Sequence, residues 1–509
     1  MMRALHRLAG WTALAALAGC TVGPNYHRPD APVSPQFKEA AGWTPSQPAD
    51  AIDKGAWWSM FHDTQLDQLE QRVATSNQTV AQYEAAYREA HQVVAEARAS
   101  LFPTIGVDAG ATHSREPNGI STLGTTGAGT TSGSTGTTGT TGSTGTTGST
   151  GSGATTTGSG GTTIRTSYVA ELEASWVPDL WGKVRRTVES DKALAQASAA
   201  DLANARLAAQ GSLAEDYFAL RVLDEQSRLY RDTVADYQKF LTLTTNQYTY
   251  GTQARSAVIT AQTQLYGAQA ILIDVGVKRS AMEHAIAVLV GVPPAALTIA
   301  PAPFGRDVPV APVDVASSLL ERRPDIAAAE RRMASANAQI GVAVSAYYPD
   351  LTLSGDYGSG ASSLGGLFSA ASSLWSVGAE LADTLIDFGA RRAQVRASRA
   401  AYDESVATYR QTVLTAFQGV EDELSALHVY QQEQDVLLRD EASARQAVQL
   451  DLNQYREGTV DYTTVITAQA TALTASQNVL TVLQERLQSS VLLVEDLGGG
   501  WSANQLPKS

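Results

Sequence analysis

The chain has 509 residues, a single cysteine and a formal charge of −14, with a pI near 5.0. Its 51 acidic side chains outnumber 37 basic ones, which argues against a nucleic-acid partner that would need clustered Lys and Arg. One cysteine excludes an intrachain disulfide and a thiolate metal centre.

The chain opens MMRALHRLAGWTALAALAGC. Arg3 and Arg7 precede an apolar stretch from Leu8 to Ala18, a secretory signal by charge and length and too short to span a bilayer. It ends Leu17-Ala18-Gly19-Cys20, which resembles the lipobox of bacterial lipoproteins. Residues 1–19 are therefore predicted to be a signal and Cys20 to carry lipid; the alternative is an ordinary signal cleaved nearby and a free cysteine. No apolar run of about eighteen residues follows, so a membrane crossing would have to use strands closed into a barrel.

The rest reads as one unit written twice. SNQTVAQYEAAYREAHQVVAEARASLFPTI, ending at Ile105, matches RRPDIAAAERRMASANAQIGVAVSAYYPDL, ending at Leu351; from Pro103 and Pro349 the offset is 349 − 103 = 246. WGKVRR at Trp181 falls opposite FGARRA at Phe388. QYTYGTQARSAVITAQ from Gln247 falls opposite QYREGTVDYTTVITAQ from Gln454, and here the offset is 454 − 247 = 207. The offsets differ by 246 − 207 = 39, so the first copy carries an insertion. From Gly124 to Thr163 every residue is Gly, Thr, Ser or Ala, a composition that buries no core. This reading divides the chain into the signal 1–19, a segment 20–62, a first repeat 63–292 with the loop 124–163, a linker 293–316, a second repeat 317–497 and a tail 498–509.

Within each copy the pattern changes character. PTIGVDAGATHSR from Pro103, YVAELEASWVPDLWG from Tyr168, PDLTLSGDYGSG from Pro349 and LWSVGAELADTLIDFG from Leu374 alternate apolar with small or polar residues. Each is long enough for a tilted strand across a bilayer. Four strands cannot close a barrel alone, so several protomers would have to share one. Between Pro178 and Pro293, and between Pro349 and Pro507, there is no proline, and good helix formers dominate. Val413, Phe417, Val420, Leu424 and Leu427 step by four, three, four and three, the spacing of a coiled-coil seam; Leu213, Tyr217 and Leu220 match them in the first copy. A long helix from about Val188 to Tyr248 is predicted, stopped by the repeated QY-x-x-GT. Gly251 and Gly458 suit the left-handed position after a helix, and Thr252 and Thr459 the cap of the next one. Each copy thus makes a long hairpin, with tips near 247–258 and 454–465. The motif is open to two readings: a turn requirement alone, or a contact surface as well.

Together these residues resemble the outer membrane factors, the TolC-like channels of bacterial efflux pumps, and more closely their lipoprotein branch. The matching pieces are Leu17 to Cys20, TVGPNYHRP after it, WWSMFHDTQLDQL from Trp57, ERRPDIAAAERRMASANAQIGVAVSAYYPDL from Glu321, the paired YxxGT tips and LGGGW at Leu497. The resemblance implies an α+β membrane protein. In it a homotrimer gives four strands per protomer to one outer-membrane β-barrel, continued by a long periplasmic α-helical coiled-coil barrel. Segments near Pro293 to Pro312 and both chain ends would form a belt around the tunnel. The implied partners are a periplasmic membrane fusion (adaptor) protein, an inner-membrane resistance-nodulation-division (RND) transporter and outer-membrane lipid through Cys20. The implied function is passive export of small toxic compounds.

The family closes its tunnel at the tips, usually with aspartates. Here Thr467 stands at that position, Ala470 where some relatives carry arginine, and Thr260 at the equivalent place in the first copy. The expected gate therefore comprises Tyr455, Asp461, Tyr462, Thr463, Thr467 and Thr260, and the adaptor-contacting tips Tyr248, Gly251, Thr252, Gly458 and Thr459. No catalytic constellation, metal site or cofactor motif stands out. The seven histidines are scattered, and Glu421, Asp422 and Glu423 read as a solvated helix face or tunnel lining. Two other readings are a duct for polypeptides working with an ABC transporter (type I secretion) and a structural coiled-coil lipoprotein without a pore. The lipobox and LGGGW favour the first reading over the polypeptide duct, and the four strand segments speak against the spacer.

Overall fold

The computed structural model of the chain describes residues 21–31, 37–40, 56–117, 162–305, 308–309 and 322–507. Cys20, the signal and nearly all of the Gly/Thr/Ser tract lie outside them. The ordered elements are α1 (Thr64–Ser76), α2 (Gln78–Ala99), β1 (Thr104–Pro117), β2 (Thr162–Trp176), α3 (Lys183–Thr249), α4 (Arg255–Leu289), α5 (Pro324–Ser345), β3 (Asp350–Ala361), β4 (Ser373–Ala382), α6 (Ala390–Arg456) and α7 (Tyr462–Asp496).

The duplication is written into the helix lengths. α2 and α5 have 22 residues each, α3 and α6 have 67, and α4 and α7 have 35. Their starts differ by 324 − 78 = 246, 390 − 183 = 207 and 462 − 255 = 207, the same two offsets that the sequence carries. A 67-residue helix is about 100 Å long, and its stability comes from packing rather than propensity. α3 runs five residues further back than its predicted start at Val188, to the left-handed Gly182 that precedes it.

The helical unit is built around α3, which packs against α2, α4, α5 and α7. Most of both heptad seams turns into one core, while Val413 lies in a separate cluster with Ile326, Met333 and Tyr409. Leu213, Tyr217 and Leu220 lie in the same buried cluster as Val420, Leu424 and Leu427, together with Trp57, Leu66, Leu483, Leu487 and Val491. α6 packs along α5 and α7 and makes no extensive contact with α2 or α4. Residues 297–305 are tied to α3 and α4 by a buried ion network. Arg221 and Arg279 both bond Asp224, at 3.0 and 2.6 Å, and donate to the carbonyls of Ala300 and Ile299. Glu283 accepts the Ile299 N–H at 2.7 Å. Among the described residues no helix is long and apolar enough to cross a membrane.

The second unit is a four-stranded antiparallel sheet in the order β1-β2-β3-β4, so β1 and β4 are its edges. Register sorts most of the bulky apolar side chains onto one face and the acidic ones onto the other. Val107, Leu172, Tyr357 and Trp375 form one continuous cross-strand row, and all four are exposed. Ile105, Val377 and Leu381 extend the same face. The opposite face carries Asp108 opposite Glu171, and Glu173 opposite Asp356, with Ser376 donating to Asp356 at 2.7 Å. Like charges directly opposite each other weaken a sheet, so this face needs water. Two strand boundaries differ from expectation. β2 begins at Thr162, where main-chain pairing with Pro117 holds residues of bland composition. β4 ends at Ala382, because by Phe388 and Gly389 the backbone has turned left-handed to launch α6.

Candidate functional site at the helical tips

The two tips have the same backbone. Gly251 and Gly458 sit at φ of 76° and 75°, a conformation that costs an L side chain but not glycine. The N–H of Thr252 reaches back to the Gln247 carbonyl and that of Thr459 to the Gln454 carbonyl, both at 2.9 Å, closing each long helix with a Schellman-type bond. The threonine hydroxyls donate to the same carbonyls, at 3.0 and 2.9 Å. They do not cap the following helix as the sequence suggests, since the N-cap positions fall two residues later, at Ala254 and Asp461. α4 starts after Ala254 without a side-chain cap, whereas α7 is capped by Asp461.

Beyond that shared turn the tips diverge. Asp461 accepts from the Thr464 N–H and hydroxyl, both at 3.0 Å, and these bonds hold its carboxyl below the usual carboxylate range. Tyr455 and Tyr462 are buried in a cluster with Ala261, Val465 and Ile466. The Tyr455 hydroxyl donates to Gln247 Oε1 at 2.6 Å, while the Tyr462 ring lies 6.0 Å from Tyr455 and 5.8 Å from Phe240. Burial pushes the Tyr462 hydroxyl up to about 12. These side chains glue the first hairpin to the second.

Thr260, Thr463 and Thr467 remain outside that cluster and exposed. The Thr467 hydroxyl donates to the Thr463 carbonyl at 2.9 Å and that of Thr260 to Ser256 at 3.0 Å, so these protons are spent within their own helices. Tyr248, Gly251, Thr252, Gly458 and Thr459 are also exposed. Sequence reasoning missed Gln247 and Phe240, whose roles arise only when the two hairpins meet. It also missed a groove of about 360 Å³ above the tips, walled by Leu229, Tyr237, Arg445, Gln469 and Leu473.

Comparison with known proteins decides the family. The sequence model of the outer membrane efflux proteins matches residues 69–292 and 315–499. The chain belongs to that family. The toluene efflux pump outer membrane protein TtgC of Pseudomonas putida is 28% identical over 499 residues, covering 95% of this chain and 93% of TtgC. The pyoverdine export outer membrane protein OpmQ of Pseudomonas aeruginosa is 28% identical over 460 residues, covering 90% of each chain. The solved structure of the outer-membrane channel OprN superposes with a TM-score of 0.81 at 26% identity, over 95% of this chain and 100% of that one. The Campylobacter jejuni CmeC outer membrane channel has the same fold, with a TM-score of 0.82 at 20% identity over 96% of both chains. This efflux protein is therefore an outer-membrane protein.

Two further features of this efflux protein bear on the site. Residues immediately after Cys20 are clamped to the start of α3. The Val22 N–H donates to the Trp181 carbonyl at 3.1 Å. Arg186 donates to the Val22 carbonyl at 3.2 Å and to Asn25 Oδ1 at 2.9 Å. The second feature is a set of buried acids. Glu70 of α1 is fully buried with neither carboxyl oxygen hydrogen-bonded. Burial, reinforced by Glu495 and Asp67, pushes it up to about 9. Burial beside Glu215 and Asp496 pushes Glu495 up to about 8. Its carboxyl lies on the backbone of α3, where a Cβ on Gly211 would be 1.3 Å from Oε1, so any larger residue there would force the Glu495 side chain to move. The acids Glu421 to Glu423 are not simply a solvated face. Glu421 accepts the N–H groups of Lys38 and Glu39 at 2.6 and 2.9 Å, because that turn has amides with no intrahelical partner. Burial raises Glu423.

Proposed function

We propose that this chain is one protomer of a homotrimeric, passive outer-membrane duct that exports small toxic compounds and does no chemistry of its own. The observation that carries this reading is the sheet. It exposes one continuous apolar face, places carboxylates on the other, and leaves both edges unpaired. In water such a face and such edges invite aggregation; in a bilayer the apolar face meets lipid and the acidic face an aqueous lumen. Three copies supply 3 × 4 = 12 strands, which pairs every edge. The long hairpins then continue the lumen through the periplasm.

In this account Cys20 is lipidated, and the clamp on residues 21–25 holds the lipid near the end of α3 that follows β2 in the chain. The exposed tips, Tyr248, Gly251, Thr252, Gly458 and Thr459, meet a periplasmic adaptor, and an inner-membrane RND transporter supplies the energy. Tyr455, Asp461, Tyr462, Thr463, Thr467 and Thr260 form the constricted end. The buried tyrosines lock neighbouring hairpins, and the exposed threonines line the opening. Small compounds, rather than polypeptides, are favoured by relatives named for toluene and pyoverdine.

The test is complementation in a bacterium lacking its own outer-membrane efflux channel, with this chain expressed beside an adaptor and an RND transporter. Dye accumulation is expected to fall only when all three are present and the inner membrane is energised. Unchanged accumulation, with the chain correctly inserted in the outer membrane, would reject the reading.

A further inference from the structure

The residues that open α6, Ala390 to Arg399, read ARRAQVRASR: four arginines and no acid, in a chain whose formal charge is −14. The first carboxylate on this helix is Asp403. Arg391 is spent on the preceding turn, donating to Asp387 at 2.8 Å. Arg392, Arg396 and Arg399 are not. They step by four and three, so they share one face of α6 over about 10 Å. All three are exposed, and among the described residues none has an ion-pair or hydrogen-bond partner. Arg392 stands in the first turn, where a cation opposes the helix dipole, so helix stability does not account for it. The first repeat balances the same positions. There Arg185 is bonded to Asp179 at 3.1 Å, and Glu189, which stands where Arg396 does, pairs with Arg186 at 2.7 Å. Two neighbours of the stripe show its surroundings. Further along it, Arg410 donates to the Asp30 carbonyl at 3.4 Å, so the segment that follows Cys20 runs along this face of α6. Just before it, the turn between β4 and α6 holds out Leu385, Ile386 and Phe388, which are 88%, 75% and 101% exposed. That turn is fixed by Asp387, which accepts from the Gly389 and Arg391 N–H groups at 2.9 and 3.0 Å.

We propose that Arg392, Arg396 and Arg399 bind the phosphate headgroups of anionic glycerophospholipids at the periplasmic surface of the outer membrane. This rests on the reading above, in which the sheet crosses the bilayer and the helices leave it. A segment that carries lipid at Cys20 lies outside the lumen, so a face it runs along is turned to lipid and not to cargo. Apolar side chains that lead directly into free arginines suit the boundary between acyl chains and headgroups. Arginine suits phosphate because its planar fork makes two charge-assisted bonds at once. Three exposed cations along a helix make a strip and not a cradle; their hold comes from a surface dense in phosphate, which a lipid leaflet is and a free anion is not. At the equivalent place in the first repeat, the start of α3, the clamp on residues 21–25 already ties down the lipid-bearing segment. The arginines give the second repeat an anchor of its own.

The site is tested on the full-length protein, stripped of bound lipid in detergent and titrated with phosphatidylglycerol or phosphatidylcholine, with lipid adducts read by native mass spectrometry. Wild type is expected to bind the anionic lipid about tenfold more tightly than the zwitterionic one. Arg392→Gln, Arg396→Gln and Arg399→Gln together should abolish that preference, and lysine at the same three positions should keep most of it. Arg72→Gln, Arg255→Gln and Arg456→Gln together remove as much charge from exposed sites elsewhere and should match wild type. Equal preference in wild type and the Arg392, Arg396, Arg399 glutamine variant overturns the site. Displacement of the lipid by millimolar inorganic phosphate also overturns it, by marking a free-anion site. Loss of oligomers from that variant with lipid binding unchanged would assign the arginines to the acids of another copy, which overturns it too. Flotation judges the duct reading separately: wild type that inserts into liposomes of neither lipid overturns that reading together with this one, whereas insertion without the preference overturns the headgroup site alone.

Discussion

At the residue scale, the most consequential groups carry a proton that ordinary carboxyls do not. Glu70 has no hydrogen-bond partner and no exposure, so its charged form is strongly disfavoured, with Glu495 and Asp67 adding repulsion. Its folded value of about 9 lies above the ordinary 4.5 of the unfolded chain. The folded state therefore holds the extra proton, and the contribution to stability is full below the unfolded value. It is lost as pH rises through the folded one. Glu495, raised to about 8, acts in the same direction. The unfolding midpoint of the purified protein is predicted to fall between pH 5 and pH 9. Glu70→Gln should flatten that decline and raise alkaline stability by on the order of 2 kcal/mol, after discounting for relaxation of the site. An identical pH slope in the variant would mean that Glu70 is ionised in the folded protein and paired in some other way.

At the element scale, the duplicated turn is a test of how local backbone chemistry sets the tips. A Cβ on Gly458 would meet nothing within 4 Å, so Gly458→Ala carries only the conformational cost of a left-handed alanine, roughly 1 kcal/mol. The expected result is faster hydrogen exchange confined to the 455–462 turn, with Gly458→Asn intermediate because asparagine tolerates that conformation. Unchanged exchange in Gly458→Ala would show that the turn is held by the Tyr455–Tyr462 cluster rather than by its backbone. The turn glycines were legible in the sequence because a left-handed residue after a helix has a strong residue preference and because it was written twice. The direction of the Thr252 and Thr459 hydroxyls was not, since a threonine at a helix junction can bond either way.

At the scale of the whole molecule, the duplication made the fold readable. Weak alternation in each strand gained weight from recurring in register, and the heptad steps of Phe417 to Leu427 announced the core that α3 and α6 share. What remained hidden depends on meetings between distant segments. Glu70 and Glu495 look like ordinary helix-surface acids until α1 and the end of α7 close over them. Gln247 is anonymous until Tyr455 arrives from 208 positions away. The tip turns were legible by position, but the environment of their residues was not: Tyr455 and Tyr462 are buried and lock the hairpins together, whereas Thr260, Thr463 and Thr467 are exposed.

The central claim is a pore held shut at those tips, and single-channel conductance in a planar bilayer tests it most directly. Wild type is compared with a variant carrying both Tyr248→Ala and Tyr455→Ala, which removes the buried lock to Gln247 and its exposed counterpart. A quiet wild type beside large, steady conductance steps from the variant is the predicted result. Silence from both, with trimers correctly assembled, would contradict it and leave a coiled-coil lipoprotein without a pore.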